Sequence, residues 1–188
     1  MLSHTFIKMN ENLERAIDIP EEIEVIVDKN NFNIKGKGKE LSRDFDLGRI
    51  KASVKENRII LIAKNATRKE SKMIGTIWAH LKNMVKGFNE DFVYELEICN
   101  VHFPMNVKID GDKIIIKSFL GETTQRVAKI LPNTIVDIKG NKISVSSNNI
   151  EAAGQTAANL EKATRLTGRD RRIFQDGIFI TSKPGRII

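Results

Sequence analysis

Two stretches of this chain repeat one another, and that limits the possible folds more than any other feature. IEVIVDKNNFNIKGKGKE begins at Ile23 and MNVKIDGDKIIIKSFLGE at Met105, an offset of about 82 residues. At that offset Val25 meets Val107, Asp28 meets Asp110, Lys35 meets Lys117 and Glu40 meets Glu122. The apolar positions Val27, Phe32 and Ile34 meet Ile109, Ile114 and Ile116. Two copies and no more predict a duplicated domain rather than a solenoid.

Each copy opens with short runs in strand-like alternation. Asp110-Gly111 and Gly140-Asn141 are two-residue turn signals between β-branched runs, and Glu56-Asn57 stands similarly between KASVK and RIILIA. A helical segment follows in each. Met73, Ile74, Ile77, Trp78, Leu81, Met84 and Val85 recur at helical spacing, with Gly87 as a possible cap. In the second copy the helix starts at Asn caps, turns Ile150, Ala153, Ala157 and Leu160 inward, and is expected to end at Gly168. Gly75, Ala79 and Leu81 match Gly154, Ala158 and Leu160. FVYELEI, from Phe92, and GIFIT, from Gly177, read as the closing strands.

The expected fold class is therefore α+β: two tandem duplicated domains, residues 1–98 and 99–188, each a mostly antiparallel sheet covered by one helix. The join is placed near CNVHFP, residues 99–104, a connection too short to be a flexible linker. The sheet face away from the helix should be wet or bound to something.

A chain of 188 residues, 40% of them hydrophobic, can bury a real core in either one domain or two. Its single cysteine, Cys99, excludes a disulfide framework and a CxxC zinc site, as expected of a reducing cytosol. No stretch approaches the roughly 18 apolar residues that span a bilayer, and the opening residues lack the apolar segment of a secretory signal, so a soluble intracellular protein is expected. The net charge of +7 and pI near 9.5 favour a polyanionic partner. Counted on either side of Ile98, residues 1–98 hold 17 Lys+Arg against 16 Asp+Glu, and residues 99–188 hold 14 against 8. On that division the first domain is expected to be near-neutral and the second basic and RNA-binding.

Signs of catalysis are sparse. IKGKGKE, residues 34–40, resembles a phosphate-cradling loop but lacks the glycine spacing, the Lys-Ser/Thr pair and the following helix of a P-loop, so a basic hairpin end fits better. His4, His80 and His102 are not spaced as metal ligands, and no GxSxG or HExxH is present. The acidic run Glu21, Glu22 and Glu24 after Pro20 reads as a solvated strand edge. No metal, cofactor or small-molecule substrate is expected. The runner-up reading is an enzyme acting on RNA or nucleotides through the basic glycine loop, and a third is a protein scaffold.

The densest charge lies in GRDRRIFQDGIFITSKPGR, residues 168–186. A closing strand starting near Ile173 would put Phe174, Ile178 and Ile180 on its buried side and leave the arginines on the preceding turn. Asp176-Gly177 would mark a bulge or a close approach of backbone. The candidate RNA-binding residues are Arg165, Gly168, Arg169, Arg171, Arg172, Lys183 and Arg186. Phe32, Phe45, Phe92, Phe174 and Phe179 fall in strand-like alternation and read as core, so phosphate contact and shape are favoured over base stacking, with structured RNA as the expected target and duplex DNA as the second choice.

Across essentially its whole length the chain resembles the universal large-subunit ribosomal protein six family, in its archaeal and eukaryotic form. Leu166, Arg169, Arg172, Phe174, Asp176, Gly177, Ile178, Ile180 and Lys183 stand at the family's signature spacing, L-x-x-R-x-x-R-x-F-x-D-G-I-x-I-x-x-K. Lys162 and Phe179 stand where the family usually has glutamine and tyrosine, and the ending Lys183-Pro184-Gly185-Arg186 differs from the Tyr-Lys-Gly-Lys-Gly type loop of bacterial members. The resemblance implies a non-catalytic component of the cytoplasmic ribosome that binds large-subunit rRNA through its second domain. It also implies a place at the base of the factor-binding stalk near the sarcin-ricin region, with neighbouring stalk-base proteins as partners and no membrane.

Overall fold

The computed structural model describes residues 12–20, 22–36, 38–55 and 57–188. His4, Glu21, Lys37 and Glu56 lie outside the described residues. The chain divides into two units, Met1–Asn89 and Glu90–Ile188.

In the first unit β1 (Leu13–Asp18), β2 (Ile23–Asp28), β3 (Asn31–Gly36), β4 (Lys39–Asp44), β5 (Lys51–Lys55) and β6 (Arg58–Ala63) precede the helix α1 (Arg68–Asn89). They form two antiparallel sheets, β2-β3-β4 and β1-β6-β5, rather than one. Strict alternation in β6 sends Ile59, Leu61 and Ala63 inward, where they meet Phe32, Ile34, Ile74 and Leu81. The repeated Lys35 and Glu40 are cross-strand partners, with Nζ and Oε1 3.1 Å apart. Thr67 and Glu70 start α1 with a reciprocal capping box: the Glu70 carboxylate accepts from Thr67 N and Oγ1, and Thr67 Oγ1 accepts from Lys69 N. Gly87 does not end this helix. Buried Phe88 holds a further turn against the core, and the helix runs to Asn89.

The second unit contains β7 (Phe92–Cys99), β8 (Asn106–Asp110), β9 (Lys113–Lys117), a short 3-10 turn (Phe119–Gly121), β10 (Arg126–Lys129), β11 (Ile135–Lys139), β12 (Lys142–Ser147), α2 (Ile150–Ala163), β13 (Gly177–Lys183) and β14 (Arg186–Ile187). Its sheets are β10-β9-β8 and β11-β12-β7-β13-β14, again antiparallel. The Asn149 side chain caps α2 by accepting from Glu151 N at 2.9 Å. The small Ala153 and Ala157 bring the helix down on Leu96, Ile143, Val145 and Ile178. Gly154 is needed for that approach, because a Cβ there would lie 2.9 Å from Tyr94 Oη. No such neighbour lies within 4 Å of the matching Gly75.

The duplication is visible in the pairing. Sheet β2-β3-β4 has its counterpart in β8-β9-β10, and β1-β6-β5 in β7-β12-β11. Hence β7 is not the closing strand of the first domain. Its residues 92–97 pair with β12, and 95–99 pair with β13, which makes it an interior strand of the second unit's larger sheet. The expected boundary at Ile98 lies instead between Asn89 and Glu90. Alternation in FVYELEI tells which side chains turn inward but not which strands lie alongside.

The shifted boundary also removes the predicted charge contrast. Residues 1–89 hold 17 Lys+Arg against 12 Asp+Glu, and residues 90–188 hold 14 against 12, because Glu90, Asp91, Glu95 and Glu97 change sides. The first unit is not near-neutral, nor is the second the more basic. What survives is local: residues 162–186 carry seven Lys+Arg and two Asp.

A fragment of residues 90–188 should therefore unfold cooperatively in urea, whereas residues 99–188, lacking β7, should not fold. Far-ultraviolet circular dichroism compares them directly; equal, cooperative transitions would contradict the assignment of β7.

Candidate nucleic-acid interface

Between α2 and β13 the chain makes an excursion over residues 164–176. α2 ends at Ala163, well before Gly168. Arg126 NH1 donates to Ala163 O, a helix-end carbonyl, at 3.0 Å and to Arg165 O, just beyond the helix, at 3.2 Å. The same guanidinium is held bidentately by Glu122 at 2.7 and 2.9 Å and lies 4.2 Å from the Phe119 ring centroid. Its hydrogen bonds, with smaller contributions from the charges of Arg126 and Arg169, hold the Glu122 carboxyl below the ordinary carboxylate range. Thr164 Oγ1 accepts from Ile178 N at 2.9 Å, tying the start of the excursion to the start of β13.

Gly168, at φ +71°, takes the left-handed conformation in the middle of the excursion rather than at a helix end. Asp170 then organises a turn: its side chain accepts from Arg172 N at 2.9 Å, and its carbonyl accepts from Ile173 N and Phe174 N. Ile173 belongs to this turn and is exposed, so β13 starts at Gly177, later than expected. Ile178 is fully buried, whereas Phe174 and Ile180 are half-buried. The one irregularity in the β13–β7 ladder lies between Ile180 and Ser182, not at Asp176-Gly177.

Asp176 instead anchors the excursion. It is 1% exposed, and its Oδ1 accepts from Val101 N at 2.8 Å and His102 N at 2.9 Å, while His102 Nδ1 meets Oδ2 at 2.6 Å. CNVHFP is thus not the inter-domain join but a loop of the second unit bound to this carboxylate. The His102 ring also stacks on Phe174 at 4.9 Å between centroids.

Arg165, Gly168, Arg169, Arg171 and Arg172 are all exposed on the excursion, as expected. Arg169 lies 4.8 Å from the Phe174 centroid, and Arg172 Nε is 3.7 Å from Asp170 Oδ1. Among the described residues no ion pair holds the side chains of Arg165, Arg171, Lys183 or Arg186. The structure does not unite all seven candidates. Lys183 and Arg186 are cross-strand partners at the far end of β13, about 20 Å from Gly177 at ~3.3 Å per residue.

Two clefts flank Arg171. One, of about 430 Å³, is lined by Ala158, Glu161, Lys162, Thr164, Arg165, Leu166, Arg171, Asp176 and Phe179. The other, of about 360 Å³, is lined by Cys99, Val101, Leu166, Arg171, Phe174, Gln175 and Phe179. Phe32, Phe45 and Phe92 are core as expected, but Phe174 and Phe179 line these clefts instead. The basic glycine stretch is the β3–β4 hairpin end, without the following helix a P-loop requires.

The family described as ribosomal protein L6 matches residues 19–91 and 103–177. The chain belongs to the ribosomal protein L6 family. It is 41% identical over 171 residues to the large ribosomal subunit protein uL6 of Methanobrevibacter smithii, covering 91% of this chain and 96% of that one. Against the same-named protein of Methanosarcina mazei it is 41% identical over 175 residues, covering 93% and 99%, and against that of Methanococcus vannielii 38% over 176, covering 94% and 97%. The two matched segments accord with the duplicated α+β units.

In this chain the D-G-I signature has a structural meaning. Gly177 leaves room for an aromatic ring, since a Cβ there would lie 3.0 Å from Phe179 Cζ. Burial alone would raise the Asp176 carboxyl. The His102 backbone N–H, the His102 ring and the N–H groups of Val101 and Phe103 outweigh it and hold the carboxyl at about 2, against an ordinary 3.8. The folded form therefore gains about 2 kcal/mol from this group at neutral pH. That gain is complete above the ordinary value and drains away as pH falls toward 2.

Sequence reading passed over Arg126, which holds the excursion's first carbonyls, and read His102 as an ordinary histidine; their partners lie 37 to 74 residues away in the chain. Asp176→Asn should cost about 1–3 kcal/mol at pH 6. In urea titrations its deficit should shrink by about 1 kcal/mol at pH 3; a deficit unchanged between the two pH values would contradict the ionic role.

Proposed function

We propose that this chain is a component of the large ribosomal subunit that binds large-subunit rRNA, with the excursion of residues 164–176 as its main contact. The names of the uL6 relatives support the subunit. The observation that carries the contact is that the excursion's backbone is held by buried or internally paired groups, Asp176 and Arg126, while its arginines are exposed. Exposed charges, even those resting on Phe174 or near Asp170 as Arg169 and Arg172 do, can still meet phosphates, and each phosphate neutralised releases counterions and adds ~0.7 to 0.9 to the salt slope. Lys183 and Arg186 form a second, separate contact group on this reading.

The role is structural rather than catalytic, without cofactor or small-molecule substrate, in support of translation in the cytoplasmic ribosome. The family resemblance extends the proposal to a position at the base of the factor-binding stalk near the sarcin-ricin region, among neighbouring stalk-base proteins.

Replacing Arg171 and Arg172 together by alanine should leave the melting temperature within about 4 °C, since exposed substitutions usually change stability by less than ~0.5 kcal/mol each. Affinity for purified large-subunit rRNA should fall, and the slope of log affinity against log salt should drop by up to ~1.8. Early melting with normal RNA binding would show the arginines to be structural.

A further inference from the structure

Phosphate contact alone does not require the hollow beside the arginines. A polyanion backbone can be met by cations on a convex surface, yet here Arg171 stands between two clefts of about 430 and 360 Å³, and both are walled by Leu166 and Phe179. The smaller adds Cys99, Val101 and Phe174 to that apolar wall, with Arg171 as its one cation. The larger is mixed: Lys162 and Arg165 join Arg171 there and outnumber the carboxylates of Glu161 and Asp176. The Phe179 ring is half-buried and its tip lies over Gly177, close enough that a Cβ there would meet Cζ at 3.0 Å. A side chain at 177 would therefore push against the ring that walls both clefts.

Aromatic surface, a guanidinium plane and an anion-binding rim are what a single unpaired nucleotide requires: stacking for the base and charge for its phosphate. We propose that the Phe179–Arg171 hollow takes one extruded, unpaired nucleotide of a structured RNA. This rests on the rRNA-binding reading and adds to it a preference for an unpaired base over a continuous helix. Base stacking, set aside on sequence grounds, enters at this one place.

The test uses the full chain and three RNA hairpins of identical stem: one fully paired, one with a single unpaired nucleotide, and one with an abasic site at that position. At fixed salt the hairpin with the unpaired base should bind roughly 5- to 150-fold more tightly than either of the others. Phe179→Leu keeps the apolar wall but removes the aromatic face; it should erase the preference while keeping the salt slope, and Phe179→Tyr should retain both. Melting temperatures check that each variant is folded. Equal affinity for base and abasic hairpins, or a preference that persists in a folded Phe179→Leu variant, would overturn the nucleotide site while leaving the phosphate contact standing. Absence of salt-dependent binding to every hairpin would overturn the rRNA-binding reading and the site with it.

Discussion

The arrangement of the second unit's charged surface depends on one buried carboxylate. Asp176 satisfies backbone donors of a loop some 75 residues earlier in the chain and closes against the His102 ring. Removing a charged group from water is costly unless its lone pairs are met, and here the donors that meet it belong to a segment that must itself be fixed. The loop after β7 and the start of β13 are therefore fastened at one point, where the excursion ends; Arg126 and Thr164 hold its beginning.

Around that anchor, structural and solvent-facing charges are kept apart. Arg126 has its charge and donors consumed by Glu122, Phe119 and two carbonyls, and Asp176 is sealed. Of the remaining cations on the excursion, Arg169 lies over Phe174 and Arg172 near Asp170, while Arg165 and Arg171 face water. Their mutual repulsion is screened over roughly 10 Å at ordinary salt, so they cost the fold little and leave the surface suited to the polyanion proposed above. The fields that matter are local ones, since once the strands are assigned to their units the cations of the whole chain are not concentrated in either half.

Much of this was legible in the sequence. The duplication showed in apolar spacing because both copies use the same hairpins, and Asn149 announced its helix. Thr67-Arg68-Lys69-Glu70 carries a capping box in plain view, although the sequence reading placed no cap there. The partner of β7 was not legible: a strand's alternation specifies its two faces, whereas its edges are chosen by tertiary packing. The roles of Arg126 and Asp176 were hidden for a related reason, since each acts on backbone groups, which leave no trace in residue identity. Neither Gly87 nor Gly168 ends its helix, because glycine permits a terminus without requiring one: buried Phe88 carries α1 past Gly87, and α2 stops five residues before Gly168.

The central claim is that folding consumes the charges at the base of the excursion and leaves those on it for RNA. Ultraviolet crosslinking in intact large ribosomal subunits, followed by mapping of the crosslinked peptides, addresses it most directly. The account predicts crosslinks concentrated in residues 164–176, with a lesser group at Lys183 and Arg186. Crosslinks confined to residues 1–89, with the excursion unmarked, would contradict it.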